Sequence, residues 1–308
     1  MGQITNLVIY ELHYLAFTTL GIVLGILTMY YVMSREAVIR PIGRLGRWIT
    51  ALSGLPGYCS LPFVVSLVSP LTASSMLIAM YKDGKLTHRE LYIASLINSF
   101  PALLSHLRTL MPVLLSTMGV YGLLYLLILI TIGLMQMAIF VTLGRRSSSE
   151  GRGWGDTAEF TEHAVSSSLN LRRALKLIVR IVLVTSITSI TFTVIELFGL
   201  NNYLSDYLSR MFGTLSPYAV SLMVAYVISD NVAFAAAGTL INEGLNGILV
   251  IKWMLIGYVA SSLIRGIRHN APYYLGIYGP KDGVTIMLIS ILTRAFLALL
   301  ILGILYLI

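Results

Sequence analysis

Residues 53–119 align with residues 213–279 without a gap when the chain is slid along itself by 160 positions. The identities include Tyr58/Tyr218, Ser69/Ser229, Ala73/Ala233, Gly84/Gly244, Arg108/Arg268, Pro112/Pro272, Leu115/Leu275 and Gly119/Gly279, all in one register. A chain with such a repeat has to build one structural unit twice. Composition then fixes the solvent. The 308 residues are 57% hydrophobic and only 11% charged, too apolar for a surface that faces water, so the chain is expected to be an all-α polytopic membrane protein.

Long apolar segments flank each repeated block. The first repeat, 1–144, is expected to hold a helix at 7–33, an interfacial helix at 36–50, an apolar hairpin at 55–81, and helices at 90–117 and 120–143. The second, 171–308, holds the equivalents at 174–199, 201–212, 215–241, 250–271 and 284–307. Between them, 145–170 is rich in Ser, Gly and charge and reads as a linker. The apolar run at 7–33 is too long for a cleavable signal and lacks a basic segment before it, so it reads as a transmembrane helix.

Whether 55–81 and 215–241 cross the membrane or turn back within it sets the topology. If they turn back, each half has three crossings and the second half is inverted. Arg35, Arg40, Arg44, Arg47, Lys82, Lys85, Arg89, Arg145, Arg146 and Lys281 then share the cytoplasm with linker 145–170, and the N-terminus lies outside. If they cross, several of these arginines are stranded outside, against the positive-inside rule. Local chemistry agrees with the hairpin. Ser69-Pro70 is a helix start, a capping hydroxyl followed by proline at the first helical position, in mid-run. Ser229-Asp230 occupies the same place in the second copy. A helix from Pro70 to Tyr81 is about 18 Å long, against the roughly 30 Å of a bilayer core. One long helix kinked at Pro70 is the competing geometry. The excess of 21 Lys+Arg over 13 Asp+Glu is absorbed by cytoplasmic loops near anionic lipid, so nucleic acid is not an expected partner.

Backbone broken inside a bilayer has to line a cavity or be buried in protein, and inverted repeats with broken helices are the usual build of secondary transporters. Each helix start, at Ser69 and Ser229, offers backbone N–H groups and a positive dipole end. Thr72, Ser74, Ser75 and Asn231 add side-chain donors and acceptors. Arg108 and Arg268, with His106 and His269 beside them, are candidate contacts for an anion or, equally, caps at the membrane interface. Asp230 has three available roles: taking a coupling ion, neutralising its own helix dipole, or pairing with Arg108 or Arg268. Gly21 and Gly25 form a Gly-x-x-x-Gly face suited to a homodimer.

Other chemistry finds no anchor. The single Cys59 excludes an internal disulfide and a multi-cysteine zinc site. There is no Walker A sequence and no His-Glu-x-x-His, so neither an enzyme nor a cofactor or metal site is expected.

The blocks from Leu55-Pro56-Gly57-Tyr58 to Gly119 and from Leu215-Ser216-Pro217-Tyr218 to Gly279 resemble the nucleoside recognition, or Gate, domain. That domain occurs in spore maturation proteins, the membrane core of ferrous iron transport protein B and concentrative nucleoside carriers. The resemblance implies a permease fold of inverted hairpin repeats with solute held between the hairpin tips. Ser69, Thr72, Ser229, Asp230, Asn231, Arg108, Arg268, His106 and His269 are the expected contacts. Iron permeases of this type look to carry a cysteine just before the hairpin proline, whereas Leu67-Val68-Ser69 stands here. The expected activity is therefore transport of a small polar organic solute, anionic or nucleoside-like. A non-transporting scaffold or lipid-handling protein is the alternative, and a divalent metal permease the third.

Overall fold

The computed structural model describes residues 46, 48–147 and 216–307, with isolated positions 179, 183, 187, 203, 206, 207 and 210. The expected helix at 7–33 with Gly21 and Gly25, most of those at 36–50, 174–199 and 201–212, and the linker beyond Ser147 lie outside the described residues. Among the described residues there is no strand. A 3-10 turn at Gly57–Cys59 leads into α1 (Ser60–Ser66), followed by α2 (Pro70–Lys82), α3 (His88–Ile97), α4 (Ser99–Met118) and α5 (Val120–Ser147). After Ser216 come α6 (Pro217–Ile228), α7 (Asp230–Asn242), α8 (Gly247–Arg265), a π turn at Gly266–Asn270, α9 (Ala271–Tyr278) and α10 (Pro280–Leu307).

The chain is a membrane protein. Among the described residues, three helices are long and apolar enough to cross a bilayer: Val120–Arg146, Gly247–Arg268 and Pro280–Leu307. At 1.5 Å per residue the shortest of them spans about 33 Å. Large apolar side chains stay exposed along them, including Leu123, Leu127 and Leu143 on α5, Ile248 and Leu263 on α8, and Leu292, Phe296 and Ile304 on α10. Such stripes are unfavourable in water and suited to lipid.

Helix ends follow local chemistry. Both α2 and α7 end in a Schellman motif. Gly84 (φ 73°) and Gly244 (φ 94°) take the left-handed conformation, and Gly84 N donates to Tyr81 O and Lys85 N to Met80 O, with Gly244 to Ile241 O and Leu245 to Leu240 O in the second case. Gly119 and Gly279, also left-handed, separate α4 from α5 and α9 from α10. The left-handed φ is the reason glycine recurs at these positions of the repeat.

Several boundaries differ from expectation. The helix expected at 90–117 is divided at Asn98, because Pro101 has no N–H for the Ile97 carbonyl and its ring crowds that oxygen. The helix expected at 250–271 ends at Arg265 and passes through a π turn, where Ala271 N donates to Gly266 O ahead of Pro272. The wider turn accommodates a proline four residues beyond Arg268. The segment expected at 120–143 continues to Ser147, and that expected at 284–307 begins at Pro280, a proline well suited to a first helical turn.

Two compact units result. The first draws its described residues from Met1–Ser105, Gln136–Ser189 and Pro272–Ile286, and the second from His106–Met135, Ile190–Ala271 and Met287–Ile308. In the first, α1 packs on α2 and α2 on α3, around Leu61, Met76, Leu77, Leu91 and Ile97. In the second, α6, α7 and α8 pack pairwise around Leu114, Tyr125, Leu222, Tyr226, Phe234, Val250, Met254 and Leu297.

Candidate functional site

In the first unit the helical chain stops at Ser66 and restarts at Pro70. Ser69 is extended (φ −143°, ψ 97°) and its hydroxyl oxygen accepts from Thr72 N at 3.3 Å. The Ser69 and Thr72 hydroxyls share a 2.7 Å hydrogen bond. The opening turn of α2 is therefore capped by its own side chains, as the Ser-Pro pair dictates. Tyr273 of α9 donates to the Pro70 carbonyl at 3.1 Å and is hydrogen-bonded to Ser74. From α1, Ser66 donates to the Asn98 carbonyl at 3.1 Å.

In the second unit the break falls at Ser229 (φ −168°, ψ 158°), whose hydroxyl oxygen accepts from Val232 N at 3.2 Å. Here charge surrounds the break. Asp230, at the positive end of α7, is ion-paired to Arg265. Arg265 also donates to Tyr258 O at 3.2 Å and lies 5.1 Å and 4.8 Å from the ring centroids of Tyr226 and Tyr258. Arg268 donates to Val227 O at 3.2 Å and to Ile228 O at 2.6 Å, placing a cation on the last carbonyls of α6. One arginine thus pairs with the carboxylate at the start of α7 while another caps the end of α6.

The expected partners of Asp230 were Arg108 and Arg268, and the structure pairs it with Arg265 instead. Asn231 is exposed, as is His106 on α4. Arg108 and His269 lie on the α4 helix and in the π turn, and their side chains are outside the described set. Thr72 is buried at 8% exposure. The structure groups Ser69 with Thr72, and Ser229 with Asp230 and Arg268, each set in its own unit.

Tyr125 and Tyr226 are fully buried and joined through their hydroxyls at 2.6 Å. Gly257 allows α8 to approach this pair, since a Cβ there would sit 2.8 Å from Tyr226 Cδ2. Either Tyr125→Phe or Tyr226→Phe alone strands a buried hydroxyl and is expected to cost about 1–3 kcal/mol, with most of the loss recovered in the double variant. Thermal unfolding of the three variants in detergent checks this. Equal and additive losses would show that the hydroxyls act independently.

A third cluster was not legible in the sequence. Asp282, in the first turn of α10, accepts from Tyr92 at 2.9 Å and is paired to His88 at 2.9 Å. The His88 ring lies 4.7 Å from Tyr92 and 5.8 Å from Tyr81. Thr87 and Glu90 form a capping box at the start of α3. In the preceding loop, burial pushes the Lys85 ammonium below its ordinary range, against the opposing pull of Asp83. His88 is half exposed, so His88→Ala is expected to change stability by less than about 1 kcal/mol, read as a small shift in Tm.

Among the described residues no three His, Cys, Asp or Glu side chains gather as a metal site would require. Arg265, Tyr273 and Asn98 were missed by sequence reasoning. Arg265 does stand one turn before Arg268, and that spacing was the signal available.

No family model and no solved structure matches the chain. Curated relatives do match, all from Methanocaldococcus jannaschii. The chain is 25% identical over 233 residues to uncharacterized protein MJ0871, covering 72% of this chain and 71% of that one. It is 22% identical over 291 residues to uncharacterized protein MJ0880, covering 90% and 94%. With uncharacterized protein MJ1556 it shares 31% identity over 275 residues, 85% of this chain and 86% of the relative, and it belongs to that protein's family.

Proposed function

We propose that the chain is a permease for a small polar organic solute, built from two inverted repeats whose broken helices turn back within the membrane. The observation that carries this reading is the pair of helix starts at Ser69-Pro70 and Ser229-Asp230, 160 residues apart and each in mid-apolar sequence. Each is self-capped by its serine. The resulting α2 and α7 are 13 residues each, about 20 Å at 1.5 Å per residue and too short to span a bilayer core. Interrupted backbone at membrane depth is tolerated where it meets water or solute. The resemblance to Gate-domain permeases supports the same reading. In it the N-terminus lies outside and 145–170 in the cytoplasm, where basic residues meet anionic lipid.

The test is labelling of Ser229→Cys in native membranes with a membrane-impermeant maleimide. Cys59 is only 3% exposed, so background is low. Ser229→Cys is expected to label from one face and to lose labelling when a transported solute is present. A tip that stays unlabelled from both faces, while Arg146→Cys labels, would point to the scaffold or lipid-handling alternative.

A further inference from the structure

We infer that the solute site is built on the first unit's broken helix and takes an uncharged, hydrogen-bonding solute of the polyol or amide class. The inference rests on the permease reading above and adds the chemistry of the cargo.

The two units differ in what they bury. Tyrosines aside, fourteen polar side chains are buried among the described residues, and twelve lie in the first unit, with Ser261 and Ser290 in the second beside the paired Tyr125 and Tyr226 hydroxyls. None of the fourteen is ionisable. Several of the twelve answer to backbone close by, as Ser53 does to Thr50 O, Ser99 to Leu96 O and Ser105 to Ala102 O. Four of them, Ser60, Ser75, Ser95 and Asn98, bury a polar atom that meets no full hydrogen-bond geometry. Ser75 Oγ and Asn98 Nδ2 are the two that matter here, in residues 0% and 6% exposed. A buried donor left unmade is costly, and native proteins rarely keep one without something to meet it.

Ser75 follows Ser74 on α2, and Asn98 caps the end of α3. Asn98 is held from its backbone carbonyl by Ser66 of α1, which leaves its side-chain amide to present donors. Ser95 lies one turn before it on α3, and the Tyr278 hydroxyl approaches Ser95 and Ser74. Tyr273 ties Ser74 to the Pro70 carbonyl at the start of α2. Hydroxyls and backbone carbonyls from α1, α2, α3 and α9 therefore meet as a seam in the unit that holds the Ser69 break, with Asn98 in the same stretch of chain.

This donor set suits a neutral guest. The described charged residues of the first unit fall at helix ends and loops, at 82–90, 145–146 and 281–282. From Ser75 to Lys82 along α2 is about 10 Å. An ion entering the seam would lose its hydration without meeting a counter-charge among the described residues of this unit. In the second unit Arg265 is paired to Asp230 and keeps only its Nε buried without a partner, and Arg268 donates to the Val227 and Ile228 carbonyls.

The test uses the full chain in proteoliposomes, with xylitol and acetamide as uncharged probes and lactate and phosphate as anions. Entry of at least one uncharged probe is expected to exceed that into protein-free vesicles, and Ser75→Ala and Asn98→Leu are each expected to cut it about tenfold. Ser75→Ala is also expected to keep or raise Tm in detergent, because it removes an unsatisfied hydroxyl, so a folding defect cannot imitate the loss. If lactate enters and neither uncharged probe does, the permease reading stands and this inference falls, whereas entry of phosphate alone overturns both. If no probe enters, both fall. If Ser75→Ala lowers Tm and leaves entry unchanged, the seam holds resident water and the inference is overturned.

Discussion

Asp230→Ala is expected to lower the stability of the protein by about 2–3 kcal/mol. Removing one partner of a fully buried ion pair typically costs about 3–5 kcal/mol, because the other charge is left without compensation. Arg265 is close to that limit at 14% side-chain exposure, while Asp230 keeps 45%, and this access to solvent brings the figure down. The loss has a second source, since Asp230 is the anion at the positive end of α7. Asp230→Ala with Arg265→Met is expected to recover most of the loss, because an apolar side chain between Tyr226 and Tyr258 needs no counter-charge. Thermal unfolding in detergent of both single variants and the double variant is the measurement. A single-variant loss under about 0.5 kcal/mol would place the pair among the screened surface pairs and remove its structural role.

The second large effect is steric. A Cβ on Gly238 of α7 would lie 2.3 Å from the Thr117 carbonyl oxygen and 2.9 Å from its carbon, both backbone atoms of α4 that no rotamer change can move. Gly238→Ala is expected to cost about 1–3 kcal/mol as an overpacking strain, and Gly238→Val more. Gly303 of α10 is the control, with nothing within 4 Å of its Cβ position. Gly303→Ala is expected to be neutral or stabilising by up to about 1 kcal/mol, since alanine is the better helix former. Comparing the two alanine variants by Tm separates close helix approach from propensity. Equal shifts would mean that α7 and α4 relax apart without cost.

What could be read from the sequence was the chemistry that acts within one helical turn. Ser69-Pro70 and Ser229-Asp230 specify helix starts because the cap, the first-turn residue and the N–H they serve lie within three residues of each other. The all-helical, membrane-embedded character comes from composition and apolar run length alone. Partners across the chain were not legible. Asp230 and Arg265 are 35 residues apart, and Tyr273 and Pro70 are 203 apart. The arginine that reaches Asp230 is settled by tertiary packing, and the π turn at Gly266–Asn270 adds to the difficulty by breaking the 3.6-residue count between Arg265 and Arg268. Pro101 shows the opposite case, a local breaker in plain view that an otherwise continuous apolar pattern masked.

Helices α5 and α10 each contribute to both compact units, changing allegiance at Met135/Gln136 and at Ile286/Met287. No single cut in the polypeptide can therefore release either unit whole. During synthesis, Pro70 and Ser69 leave the ribosome some two hundred residues before Tyr273, the residue that ties their turn in place. The early half must wait in the bilayer, its Pro70 carbonyl and Ser74 hydroxyl without Tyr273, until nearly the whole chain has been made. Premature termination anywhere before α9 would then yield neither a smaller functional protein nor one intact unit, but two incomplete ones, and such fragments are natural substrates for membrane quality control.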